Sequence, residues 1–162
     1  MLLRIDPSQC TGCRLCVIYC SVKHRSKVDP ARANIAVYAN LEDHGRVPFT
    51  CFQCPDAACA NACPTQAIER NEATGALVVR GELCVGCGAC VEACPHGTIF
   101  LFPEDQVAQK CDLCEGAPEC AAVCPFGAIR VADGRNSQGD IDEATRVARE
   151  ALGRVPHRPP LP

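Results

Sequence analysis

The sequence predicts an α+β fold in which short strands and helical turns wrap four cysteine-lined centres, with a separate C-terminal helix. Three observations predict it. Sixteen cysteines fall into four quartets with none left over. The segments 64–68, 95–99 and 125–129, each beginning at the proline of a Cys-Pro step, echo one another as an internal repeat. Aromatic residues make up only 4% of the chain and tryptophan is absent, so the side-chain core is thin. A chain that buries so little apolar surface needs staples.

Cys84, Cys87, Cys90 and Cys94-Pro95 carry the plainest pattern, C-x2-C-x2-C-x3-C-P. This is the run of bacterial ferredoxins, whose fourth Cys ligates a different iron–sulfur cluster from the first three. Three thiols at every third position converge only if a tight loop wraps one compact object, and Gly86 and Gly88 let the backbone come close. Cys10, Cys13, Cys16 and Cys20 repeat the spacing, with Ser21 in the proline position. Cys51, Cys54, Cys59 and Cys63-Pro64 widen the middle gap, and Cys111, Cys114, Cys120 and Cys124-Pro125 widen it by one more. Zinc is the main rival, but zinc sites combine two C-x2-C pairs and not three evenly spaced thiols before Cys-Pro. Disulfides fit worse, because paired C-x2-C thiols are poorly placed for long-range links and residues 1–6 show no signal peptide.

A net charge of −3 argues against nucleic acid as the main partner. No apolar run reaches the length of a membrane span, and sixteen reduced thiols favour a reducing, cytoplasmic setting.

In chain order, residues 2–6 read as a short strand, with Pro7 and Ser8 as the bend. Residues 17–20 form a helical turn. The cations Lys23, His24, Arg25 and Lys27 form either a solvated patch or a charge that favours a reduced cluster. Residues 35–38 read as a strand and residues 44–48 as a loop. Residues 67–79 carry a β-hairpin signature, with Gly75 near the end of a polar turn. Residues 98–102 read as a buried strand ended by Pro103, and residues 128–131 as a last strand. His96 either tunes a cluster or faces solvent. Residues 133–139 are a linker by composition. Residues 140–153 form an amphipathic helix, with Ile141, Ala144, Thr145, Ala148 and Leu152 on one face and Gly153 as its cap. Residues 154–162 are a proline-rich tail.

The four quartets in this order resemble the iron–sulfur subunits of the dimethyl sulfoxide reductase family over residues 1–132. Within it, Cys10-Thr-Gly-Cys13-Arg-Leu-Cys16 and Ser21-Val-Lys-His24 look like the polyferredoxin subunits of tungsten-dependent aldehyde oxidoreductases. The resemblance implies two ferredoxin-like dicluster halves, interleaved as quartets 1 with 4 and 2 with 3, holding four [4Fe–4S] clusters. It assigns Cys10, Cys13, Cys16 and Cys124 to one cluster, and Cys20, Cys111, Cys114 and Cys120 to a second. Cys51, Cys54, Cys59 and Cys94 take a third; Cys63, Cys84, Cys87 and Cys90 take a fourth. Ser21 departs from the family proline and leaves that helix end less firmly set.

The function expected is electron transfer and not catalysis, because every cysteine is committed and no dinucleotide fingerprint is present. The implied partners are a large tungsten or molybdenum catalytic subunit and a flavin or NAD subunit. A free polyferredoxin, or a subunit of a hydrogenase, formate or carbon monoxide dehydrogenase, is the alternative, and a zinc-stabilised binding module the remote one. The C-terminal helix is expected to leave the cluster-bearing body and dock on the catalytic partner or a neighbouring copy.

Overall fold

The computed structural model describes residues 1–40 and 45–152. His44, the Gly153 cap and the tail at 154–162 lie outside the described residues. Strand β1 (Leu2–Ile5) pairs antiparallel with β6 (Ile129–Ala132), Leu2 opposite Ala132 and Ile5 opposite Ile129. The Asp6 N–H extends the ladder to the Ala128 carbonyl at 2.8 Å. This pairing draws the first quartet alongside the fourth.

The hairpin forms where its turn chemistry places it, as β4 (Ile68–Arg70) against β5 (Leu77–Val79). Asn71 closes its turn, its side-chain oxygen accepting from the Ala73 and Thr74 N–H groups. Gly75 takes the left-handed conformation there, at φ +77°.

Two readings of strand and loop are corrected. The supposed loop at 44–48 is largely strand: β3 (Arg46–Thr50) pairs with β2 (Ile35–Ala39), Val37 opposite Pro48. A two-stranded ribbon tolerates this proline, because alternate N–H groups point away from the partner strand. Residues 98–102 form no strand. Phe100 makes a single antiparallel bridge to Gln109, and Ile99, Phe100 and Phe102 are buried by side-chain packing instead.

Helices α2 (Ala58–Asn61), α3 (Ala89–Ala93) and α4 (Glu119–Ala122) are single turns, each stopping shortly before a Cys-Pro step. Proline supplies no N–H and disfavours helix in the residue before it. Helix α1 (Leu15–Arg25) has Ser21 instead and continues for another turn. Ser21 is fully buried; its hydroxyl donates to the Ile18 carbonyl at 2.7 Å and accepts from the Asp29 N–H at 3.1 Å. Serine therefore fixes this region, contrary to the looser end expected of it. Helix α1 packs on α4, and α2 on α3.

Helix α5 (Gln138–Leu152) begins two residues earlier than its periodicity suggests, because Ser137 and Asp140 form a capping box. The Ser137 N–H donates to Asp140 Oδ2 at 2.8 Å, and the Asp140 N–H donates to Ser137 Oγ at 3.1 Å. The preceding residues do not release the chain. Asn136 donates to the Phe52 carbonyl at 2.6 Å, and Arg4 pairs with Asp140 at 2.7 Å. Ala148, Ala151 and Leu152 pack on Val47, Phe49, Tyr38 and Phe52. The C-terminal part of the apolar face expected to meet a partner is thus covered by the chain's own β2–β3 ribbon, while Ala144 lines a groove beside it.

Candidate metal centres

The same backbone device recurs in all four quartets. The residue just before the second cysteine is left-handed: Gly12 (φ 76°), Gln53 (φ 54°), Gly86 (φ 66°) and Leu113 (φ 59°). This turn aims the first two thiols of each loop inward. Gly86 has a second constraint, since a Cβ there would lie 3.0 Å from the Gln106 carbonyl oxygen. A side chain costs about 1–2 kcal/mol in this conformation, so Gln53 and Leu113 must be held by their surroundings. Gln53 donates to the Cys111 carbonyl and accepts from the Leu77 N–H, both at 2.8 Å. A second turn follows each Cys-Pro step. Gln66, Gly97 and Gly127 are left-handed, and their N–H groups donate back to the carbonyls of Cys63, Cys94 and Cys124.

These turns bring the thiols into four groups, each drawing its members from two quartets. Cys10, Cys13, Cys16 and Cys124 line one small cavity, and Cys63, Cys84, Cys87 and Cys90 line another. Burial pushes the Cys16 thiol up to about 11, helped by the neighbouring charges of Cys10, Cys13 and Cys124. Burial raises Cys20 to about 12, with Cys111 and Cys114 adding to it, while the Asn34 N–H donates to its sulfur at 3.2 Å. Cys120 is pushed above the thiol range by burial, then by Cys111, Cys20 and Cys114. Cys54 rises to about 11 through burial and the charges of Cys51, Cys94 and Cys59.

Cys63 behaves differently. Burial raises it, but hydrogen bonds from the Thr65 side chain and the Ala67, Thr65 and Ile68 backbone bring it below the ordinary thiol value.

Each group also borders the next. The Cys16 charge reaches Cys120, that of Cys51 reaches Cys111, and that of Cys59 reaches Cys90. Cys13 and Cys87, in the two end groups, are exposed, whereas the second group holds four buried thiols.

Residues 43–134 match the 4Fe–4S dicluster domain, which is more than half of the chain. The chain belongs to the 4Fe–4S dicluster domain family. Residues 7–23 separately match a 4Fe–4S binding domain. The polyferredoxin-like subunit of aliphatic sulfonate oxidoreductase from Pyrococcus furiosus is 50% identical over 91 residues, covering 56% of this chain and 52% of that protein. The tetrathionate reductase subunit from Archaeoglobus fulgidus is 36% identical over 107 residues, covering 66% and 51%. Electron transport protein HydN from Escherichia coli is 38% identical over 103 residues, covering 58% and 55%. The chain spans about half the length of these curated relatives. The active site complex BamBC of benzoyl coenzyme A reductase aligns over 93% of this chain and 90% of its own, at 24% identity and a TM-score of 0.48.

The donor sets suit the 4Fe–4S groups that this dicluster domain family binds. Buried thiols that hold one another's protons on need a positive core before they can all ionise, and metal ligation supplies one. Backbone N–H groups of Asn34 and Ala67 already donate to the Cys20 and Cys63 sulfurs, and such bonds would tune the potential of a bound core.

The basic run after Cys20 divides between two roles. His24 Nε2 lies 3.7 Å from Cys114 Sγ and 3.6 Å from Asp112. Arg25 pairs with Asp105 at 2.7 Å and Lys27 with Asp29 at 3.7 Å. His96 is not a solvent-facing turn residue. Its ring packs edge-on to Phe52 at 4.8 Å, and burial lowers its pKa against the opposing pull of Asp142. No described helix is long and apolar enough to cross a membrane.

Proposed function

We propose that this chain is the electron-transfer subunit of an oxidoreductase complex and holds four [4Fe–4S] clusters in a row. The row of four thiol groups carries this reading, because it leaves exposed thiols at both ends for exchange with partners. Bound clusters would supply one-electron redox chemistry at potentials set by ligation, hydrogen bonding and burial.

The ligand sets follow the thiol groups. Cys10, Cys13, Cys16 and Cys124 hold the cluster at one end; Cys63, Cys84, Cys87 and Cys90 hold the one at the other. Between them stand the sets Cys20, Cys111, Cys114, Cys120 and Cys51, Cys54, Cys59, Cys94. The left-handed turns orient the thiolates, and the set Cys20, Cys111, Cys114 and Cys120 is buried throughout. All sixteen cysteines are used, so the chain offers no open metal position for substrate.

The partner at one end is a large catalytic subunit containing tungsten or molybdenum. The opening motif at Cys10–Cys16 favours a tungsten aldehyde oxidoreductase. A flavin- or NAD-linked subunit takes the other end. The names of the relatives, subunits of a sulfonate oxidoreductase and a tetrathionate reductase, support this class of assembly. Anaerobic purification of the native complex tests it. The expected result is a brown protein held in complex with a large chain that contains tungsten or molybdenum. A brown protein recovered alone would favour a free polyferredoxin, and a colourless zinc-loaded one would refute the reading.

A further inference from the structure

Among the described residues, two cations of the central region have only amide oxygens as hydrogen-bond partners. Lys110 is 4% exposed. Its ammonium donates to the Leu77 carbonyl at 2.5 Å, the Cys111 carbonyl at 3.0 Å and Gln53 Oε1 at 3.4 Å. Arg70, partly buried, donates to the carbonyls of Gly75 and Cys54, both at 2.7 Å. Among the described residues neither makes an ion pair, whereas Arg25, Arg32, Arg80 and Arg146 all do.

A buried ammonium is costly unless a counter-charge lies close. The positions of these two name that counter-charge. Arg70 binds the main chain of Cys54. Lys110 binds Gln53, between Cys51 and Cys54, and also Leu77, which packs in one core with Cys59. Both cations therefore border the thiol set Cys51, Cys54, Cys59 and Cys94. Burial raises the Cys59 thiol and the Lys110 charge pulls it back. Burial and the nearby Arg135 lower Arg70, while Cys51, Cys54 and Cys59 act in the opposite direction. Lys110 also adjoins Cys111 of the next set and pulls that thiol down, whereas Arg70 adds its charge at Cys51, Cys54 and Cys59. The other lysine that reaches the next set, Lys23 at Cys114, is exposed and open to screening.

We propose that Lys110 and Arg70 raise the reduction potential of the centre held by Cys51, Cys54, Cys59 and Cys94, making it the most easily reduced in the row. This rests on the four-cluster reading above. Adding an electron makes a thiolate-ligated centre more negative, and a fixed cation in a low-dielectric interior stabilises that state more than the oxidised one. An electron delivered by the redox partner from either end would then settle in the interior of the row.

Stepwise dithionite reduction of the anaerobic holoprotein, followed by electron paramagnetic resonance, tests this. The first signal to appear should be the one that Cys94→Ala abolishes. Its midpoint should move to more negative potential in Lys110→Met and in Arg70→Met, and stay near wild type in Lys110→Arg. Arg80→Met, which removes an exposed and paired cation, should leave it unmoved. The proposal is overturned if another signal appears first, or if both neutralising variants keep the wild-type midpoint. Should Lys110→Met fail to load iron, Arg70→Met alone decides. A wild-type chain with far fewer than about sixteen irons would instead defeat the four-cluster reading.

Discussion

The Gln53 side chain donates to the Cys111 carbonyl at 2.8 Å, tying the loop of the second quartet to the first cysteine of the fourth. The same amide accepts from the Leu77 N–H, so one left-handed residue joins two cysteine loops and the hairpin. Gln53→Leu keeps the volume and strands these buried groups. Each unsatisfied buried group costs about 1–3 kcal/mol. A clear drop in the guanidinium midpoint of cluster loss should follow, and an unchanged midpoint would show that the tie is dispensable.

Ser21→Pro restores the Cys-Pro step of the other three quartets, yet it should do harm. It places proline inside α1, where a lost hydrogen bond and a ring clash cost about 3 kcal/mol. It also removes the hydroxyl that holds Asp29. Reduced iron content is expected, with the deficit at the centre containing Cys20. Full iron loading would contradict the continuous helix.

Gly86→Ala and Gly88→Ala separate two costs. Both positions are left-handed, at φ +66° and +77°. A Cβ at Gly88 meets nothing within 4 Å, whereas one at Gly86 comes within 3.0 Å of a backbone carbonyl. Gly88→Ala should cost about 1–2 kcal/mol, and Gly86→Ala distinctly more, in paired denaturation curves. Equal losses would mean that Gln106 gives way.

Much of this was legible in the sequence, for reasons that differ by element. Cysteine spacing marked the four loops, and Asn71 with Gly75 marked the hairpin, because metal ligation and turns each demand particular residues at fixed offsets. Strand β3 was hidden by Pro48, which signals a loop unless one knows the ribbon has a free edge. Residues 98–102 were over-read because a buried apolar run looks like a strand whether or not a neighbour pairs with it. Gln53 and Leu113 gave no warning of left-handed backbone, since only glycine advertises it. The joining of thiols from different quartets followed from a resemblance and not from spacing, which leaves the partner of each fourth cysteine open.

Helix α5 shows a further limit: its amphipathic pattern predicts a buried face but not what buries it. Ala148 is fully buried against Val47 and Phe49. Ala148→Glu should cost about 3 kcal/mol or more by burying an unpaired charge. Limited proteolysis should then cut near residues 133–137, while Arg149→Ala on the exposed face stays resistant. If both variants resist equally, α5 is not seated as described.

Iron and acid-labile sulfide in the anaerobically purified, fully folded chain test the central claim most directly. Four cubanes require about sixteen iron atoms per chain and as much sulfide, because each cysteine set supplies one cluster's thiolates. About half that value in fully folded protein would contradict the four-cluster account.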